Sequence, residues 1–213
     1  ALAATTTVAG LTAVGYQALA ANTTGESNVA VGLNAGAALT TGGYNTAIGT
    51  EALLTATTAS SNTALGREAL KANTTGAGNT ALGRDALQAN TTGSHNVAVG
   101  HDALDSNTTG DYNTAIGTTA LDACTTGSRN VALGYGSAGA ITTTIKNVAI
   151  GMDSLATMST GDGYNTVVGN AASYSNTTGS YNVSVGASAL YANTTASNNV
   201  AVGYNSLTAN TTG

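Results

Sequence analysis

Proline, phenylalanine and tryptophan are absent from this chain of 213 residues, and cysteine occurs once. A lone cysteine cannot close an intrachain disulfide, so it gives no reading of redox compartment. Without Phe or Trp, an ordinary globular core would rest on Ala, Val, Leu and Ile, with Tyr the only aromatic. Charge is scarce as well: 7% of residues carry it, against about 25% in an average domain. Five Lys and Arg spread among ten Asp and Glu exclude a basic nucleic-acid surface. No apolar run approaches the roughly 18 to 20 residues of a membrane helix. A basic-then-apolar signal segment is missing, and the chain opens at Ala1 without Met, which reads as a processed chain or a fragment. Disorder is disfavoured too, because 42% hydrophobic content with so little charge favours collapse.

What the chain does have is glycine, 28 of them, and a repeat. Asn28-Val-Ala-Val-Gly32, Asn45-Thr-Ala-Ile-Gly49 and Asn62-Thr-Ala-Leu-Gly66 are spaced by 17 residues. From Gly15 to Gly203 there are twelve such glycines and eleven intervals, ten of 17 and one of 18. Numbered from this Gly, the unit is G-x-x-A-L-x-x-N-T-T-G-x-x-N-[VT]-A-[VIL]. Ala1-Leu2 matches its fourth and fifth positions and Thr211-Thr212-Gly213 its ninth to eleventh. The chain is therefore read as one repetitive array over 1–213, cut inside a repeat at both ends and irregular around 134–165, where one residue is inserted between Gly151 and Gly169. Solenoids do not normally stop mid-coil without a cap, so the full protein is expected to continue both ways.

A unit of 17 residues is too short for the helix pairs of the common α-solenoids. Asn-Val-Ala-Val alternates with period two and carries β-branched residues, the mark of a short strand. The glycines punctuate turns. The expectation is an all-β fold, a parallel β-solenoid of about twelve coils, each with two short strands and two tight turns. In-register coils stack like on like. The fourteenth position is Asn in eleven consecutive coils: Asn28, Asn45, Asn62, Asn79, Asn96, Asn113, Asn130, Asn147, Asn165, Asn182 and Asn199. Their amides are placed to hydrogen-bond along the axis. Thr fills the tenth position from Thr7 to Thr212. The seventeenth is always Val, Ile or Leu and the fifth is mostly Leu; these two columns are the expected core. The Ala column at the sixteenth position, Ala13 to Ala201, is expected to point away from it. A coil so small buries little against the entropy of ordering it. Self-association along the Ala face would supply the rest, with a three-fold bundle as the natural closed arrangement.

The run Asn-[Thr/Val]-Ala-[Ile/Val/Leu]-Gly is similar to the N-S-V-A-I-G motif of YadA-like head domains in trimeric autotransporter adhesins. The longer string from Gly15 to Gly32 looks like repeats in phage tail fibres that end in an intramolecular chaperone. The resemblance spans essentially the whole chain. It implies a left-handed β-roll, a homotrimer and an extracellular setting, either a virion tail fibre or a bacterial cell surface. YadA-like coils are shorter and less uniform, and neither stalk, anchor nor chaperone domain lies in these residues. The expected role is structural or adhesive: a stiff shaft that presents a receptor-binding tip, with no enzymatic activity and no cofactor. A self-assembling extracellular filament subunit and an ice-binding β-solenoid are the alternatives. The ice reading suffers because outward pairs at i and i+2 are favoured there, whereas the Thr here are adjacent.

Candidate sites are few. Glu51, Glu68, Asp85 and Asp102 share the third position in successive coils and would repel when stacked. Arg67, Arg84 and His101 adjoin them as compensating charges, and a divalent cation is the weaker alternative. His95 and His101 fall in different columns without a neighbouring thiol, a poor zinc set. Tyr16, Tyr135 and Tyr204 share the second position, and Tyr44, Tyr112 and Tyr181 the thirteenth, with Tyr164 just before its Asn. They read as cover for turns or a trimer seam, or as a glycan-binding surface. Cys124 reads as a space-filler at the eighth position. Asn22-Thr-Thr24 and Asn73-Thr-Thr75 formally match glycosylation acceptors.

Overall fold

The computed structural model describes residues 8–211. They fall into two compact units divided between Thr109 and Gly110, and each is a parallel β-solenoid. Ala1, Leu2, Thr7, Thr212 and Gly213 lie outside the described residues. The first unit carries β1 (Thr12–Val14), β2 (Val29–Val31), β3 (Thr46–Ile48), β4 (Thr63–Leu65), β5 (Thr80–Leu82) and β6 (Val97–Val99). The second carries β7 (Thr114–Ile116), β8 (Val131–Leu133), β9 (Val148–Ile150), β10 (Thr166–Val168), β11 (Val183–Val185) and β12 (Val200–Val202). Within each unit neighbours in sequence are neighbours in the sheet, all parallel. Thr46 pairs with Thr63 and Ala47 with Ala64 in the first unit, Val183 with Val200 in the second.

Each coil has one strand of three residues, where the sequence pattern suggested two. The Ala-Leu half is instead a run of turns with left-handed backbone. Glu68 and Leu70 have φ of 59° and 52°, and Ser188 and Leu190 have 55° and 51°. Alternating the backbone hand in this way sends successive N–H groups to different partners. In the coil opened by Gly66, Lys71 and Asn73 donate back to Glu68 and Leu70 within the coil. Glu68 donates to the preceding coil at Thr50, whereas Leu70 and Ala72 donate to the following one at Ala86 and Gln88. These bonds satisfy the backbone without a second strand. They also explain the column of Leu, since a β-branched residue is a poor fit at positive φ.

The core differs from the expected one in a second way. Ala30, Ala64, Ala98, Ala132 and Ala149 are all 0% exposed, so the sixteenth column points inward. The seventeenth points out: Leu65, Leu82 and Leu133 are 39%, 41% and 42% exposed. Period-two alternation was read correctly but with its faces exchanged. The cross-section is the reason. Leu at the fifth position already reaches the strand, as where Leu190 packs with Ala189 and Ala201, and a small residue stands beside it in every described coil except the one with Val167. In two of the three described coils that lack Leu at the fifth position, an aliphatic at the eighth takes the volume, while Ser173 is accompanied by Asn176. Leu39 accompanies Gly36, and Ile141 accompanies Ala138, and both aliphatics are buried.

The corner glycine has a steric cause. A Cβ on Gly66, whose φ is +142°, would fall on the carbonyl oxygen of Gly83 in the next coil. The extra residue between Gly151 and Gly169 is absorbed without a register slip, since Thr166 still pairs with Val148. The added length is taken up around Gly161 and Gly163, whose φ values are +114° and +84°.

Candidate functional site

The interior of each coil is spent on structure. In the first unit the Asn45 N–H and Nδ2 both donate to Asn28 Oδ1, at 2.9 and 3.1 Å. Asn45 Nδ2 also donates to the Ala59 carbonyl of the following coil at 2.9 Å. Asn62, Asn79 and Asn96 repeat the N–H to Oδ1 step. The second unit has the same ladder from Asn113 through Asn130, Asn147, Asn165 and Asn182 to Asn199. From Asn28 to Asn182 these amides are buried, with Asn199 half-buried at the end of the ladder; their hydrogen bonds hold the coils together. Six of the seven eighth-position Asn of the glycosylation-like triplets, Asn22 and Asn73 among them, are likewise 0% exposed and out of reach of a modifying enzyme in the folded chain, while Asn210 is half-buried. Cys124 replaces one of them. Burial pushes its thiol up to about 11, which leaves it protonated and unreactive at neutral pH.

The surface divides into three strips. The first is the outward sheet face, made by the fifteenth and seventeenth positions. In β3 it presents Thr46 and Ile48, in β7 Thr114 and Ile116, and in β9 Val148 and Ile150. Every described seventeenth residue is Val, Ile or Leu, and none is buried. In each unit this column of Val, Ile and Leu is the one that the sequence pattern assigns to the core.

The second strip follows the strands, at the second, third and sixth positions. In the first unit it is charged. Arg67 reaches Glu68 and Asp85, Arg84 meets Asp85 at 3.0 Å, and His101 Nδ1 meets Asp102 at 3.0 Å. Lys71 joins Glu51 at 2.8 Å and Glu68 at 3.2 Å. Hydrogen bonds to Glu51 and then Glu68 raise the Lys71 pKa above its ordinary value. Glu51, Glu68 and Asp85 are thus interleaved with cations, and Asp102 has the imidazole of His101 beside it. Glu51 and Glu68 belong to Lys71, while Asp85, His101 and Asp102 form a separate group whose ligand atoms lie within 4.8 Å of one another. Arg67 and Arg84 already occupy Asp85 in that group, which makes it a poor cation site. Lys71 was not picked out from sequence. Its signal was present, because the sixth position follows the third by one turn step.

The third strip precedes the strands, at the twelfth and thirteenth positions. In the second unit it is a stack of rings and cations. Arg129 lies over the Tyr112 ring at 5.8 Å, and Lys146 over the Tyr164 ring at 4.7 Å. Tyr164 and Tyr181 stack at 5.0 Å between centroids. Tyr174 and Tyr191 form another stack at 5.4 Å, on the sixth position, and their spacing of 17 in the chain was the overlooked signal. The stacked rings face one another, so a sugar laid along the strip meets edges rather than faces. In the first unit Tyr44 turns its hydroxyl to Glu26 at 2.7 Å. That bond and the Glu26 charge raise the Tyr44 pKa.

The Thr pair also resolves into two roles. At the ninth position the hydroxyl donates to the next coil's carbonyl, as Thr40 does to Thr57 at 3.0 Å. At the tenth, Thr41, Thr75 and Thr126 are exposed. No described helix is long and apolar enough to cross a membrane. No family model matches the chain, and no curated protein or solved structure matches it.

Proposed function

We propose that this chain is the repetitive shaft of a homotrimeric extracellular fibre, a phage tail fibre or a bacterial surface adhesin, that holds a receptor-binding tip away from its anchor. The observation that carries the reading is the outward seventeenth column. An exposed position free to vary would drift toward polar residues, yet Val, Ile or Leu stands there in every coil. A contiguous apolar strip on a surface marks an interface. The partner face is therefore the Val/Ile/Leu side of the sheet and not the Ala side. The role is mechanical, since the stacked backbone and Asn ladders resist bending and local opening.

Sedimentation equilibrium of the purified chain tests this, with three times the chain mass, 20.5 kDa, as the expected result. A monomer overturns the trimer. The ice-binding reading now has the outward i, i+2 pair it lacked, as at Thr46 and Ile48, although the second column holds no Thr. Thermal hysteresis from a monomeric chain would favour it, and long threads from the purified chain alone would favour the filament.

A further inference from the structure

We propose that two tyrosine pairs, Tyr164 with Tyr181 and Tyr174 with Tyr191, are sites of oxidative coupling. An oxidant of the haem-peroxidase class, supplied with hydrogen peroxide, joins each pair in a dityrosine link. The links staple the coil opened by Gly169 to the coil before it and to the coil after it. The chemistry is the same whether the chain is a monomer or a trimer.

That coil has the weakest interior. Its fifth, eighth and sixteenth positions are Ser173, Asn176 and Ser184, all buried. Among the described coils it alone has no aliphatic side chain at any of the three. Ser173 Oγ finds no hydrogen-bond partner among the described residues, and Ser184 Oγ turns to the Ala189 carbonyl at 2.8 Å. The outside of the same coil carries aromatic contacts in both directions. Tyr181 stacks backward on Tyr164, with centroids 5.0 Å and planes 11° apart. Tyr174 stacks forward on Tyr191, at 5.4 Å and 7°. No other two tyrosines in the chain stand 17 residues apart.

Main-chain bonds hold both pairs in register. Tyr181 N–H donates to the Gly163 carbonyl at 3.1 Å, and Ser175 N–H to the Tyr191 carbonyl at 3.0 Å. The two Cα atoms of a pair are thus about one strand spacing apart, ~4.8 Å. Tyr164, Tyr181 and Tyr191 are exposed and Tyr174 is half-buried, so an oxidant reaches the ring edges. It takes one electron from each ring of a pair, and each hydroxyl proton passes to water. The two radicals share their unpaired electrons in a new carbon–carbon bond between the ring carbons ortho to oxygen. Each of those carbons then loses its hydrogen as a proton while its oxygen regains one. In all, two hydrogens leave the pair and one hydrogen peroxide becomes two waters. The bond turns the rings from face to face to edge to edge, which their solvent-facing ends allow. Held side by side, the radicals of a pair meet each other far sooner than they meet one on another chain.

The test treats the full chain, in dilute solution, with a haem peroxidase and hydrogen peroxide. The expected product shows the blue fluorescence of dityrosine and still runs as a single chain on a denaturing gel. Its proteolytic peptides are joined 164 to 181 and 174 to 191, each joined pair lighter by two hydrogens. Exposed Met152 gains oxygen in the same reaction, so the links are read from peptides and not from the intact mass. Tyr181→Phe and Tyr191→Phe keep the stacks but should each remove one link and about half of the emission, and the double variant should lose both. The oxidised parent is expected to melt at a higher temperature than the untreated chain, and the oxidised double variant is not. Emission that persists in the double variant, links found only between chains, or an oxidised parent without either joined peptide overturns the proposal. A linked parent that melts no higher overturns the stapling. Neither result alters what sedimentation says of the trimer.

Discussion

The two units share a cross-section and differ at their edges. Both bury Ala at the sixteenth position, carry the Asn ladder at the fourteenth and turn on a corner Gly. On the edge after the strand, the first unit sets Arg67, Lys71 and Arg84 among four carboxylates. On the edge before it, the second unit stacks Tyr112, Arg129, Lys146, Tyr164 and Tyr181. The interior leaves almost no freedom, because each side chain there meets its own equivalent one coil away. The edges are free to change chemistry without disturbing that stack. The units therefore differ in the chemistry of their edges and agree in the interior that holds the coils together.

The largest effect should be the same in both units. Gly66→Val in the first and Gly117→Val in the second each aim a side chain at the next coil's carbonyl from a backbone hand that L-residues avoid. Each is expected to cost more than about 3 kcal/mol, read as loss of the cooperative melt by circular dichroism. A mild effect in one unit alone would mean that its corner can relax. Next, Asn62→Ala and Asn130→Ala should cost similar amounts, about 2 to 4 kcal/mol in urea titrations, since each strands buried donors that had found Oδ1. Unequal costs would break the claim of a common interior.

The smallest effects should separate the units. Lys71→Met and Tyr181→Ala should each change stability by under about 1 kcal/mol, but with different signatures. The Lys71 contribution falls with added salt, whereas the Tyr181 stack is indifferent to it. The pH dependence follows from the raised Lys71 pKa. A cation held by carboxylates stabilises the fold below the ordinary lysine value, and that contribution is lost as pH rises through the higher folded value. Parent and Lys71→Met should thus converge in melts taken at strongly alkaline pH and diverge near neutrality.

The period of 17, the parallel stacking, the Asn ladder and the core Leu column were legible in the sequence, because each is a statement about spacing. The faces of the strand were not. Ala13 to Ala201 (Ala in all but Val167 and Ser184) sit beside the larger Val14 to Val202 column, and hydrophobicity alone sends the larger residue inward. The opposite holds because Leu70 and its equivalents already fill the narrow interior, a fact about volume that spacing does not carry. The second strand was misread for a related reason. Ala-Leu in a coil of short elements resembles a strand, and positive φ at Glu68 and Leu70 has no signature in residue type when Glu and Leu occupy it. At the edges, Arg67, Arg84 and His101 were found beside their carboxylates by adjacency, while Lys71, Tyr174 and Tyr191 required the turn geometry.

The alternating hand of the turn half has a consequence for how such a chain can change length. Each coil offers its successor the same set of donors and acceptors that it received from its predecessor. Excising Gly66 through Leu82 would join Leu65 to Gly83, and each would find the neighbour it had before. Removing one residue fewer would misplace every bond after the cut. The genetic currency of this molecule is thus the whole coil, and reach can be inherited as a count, gained or lost by recombination between near-identical stretches without redesigning a single contact.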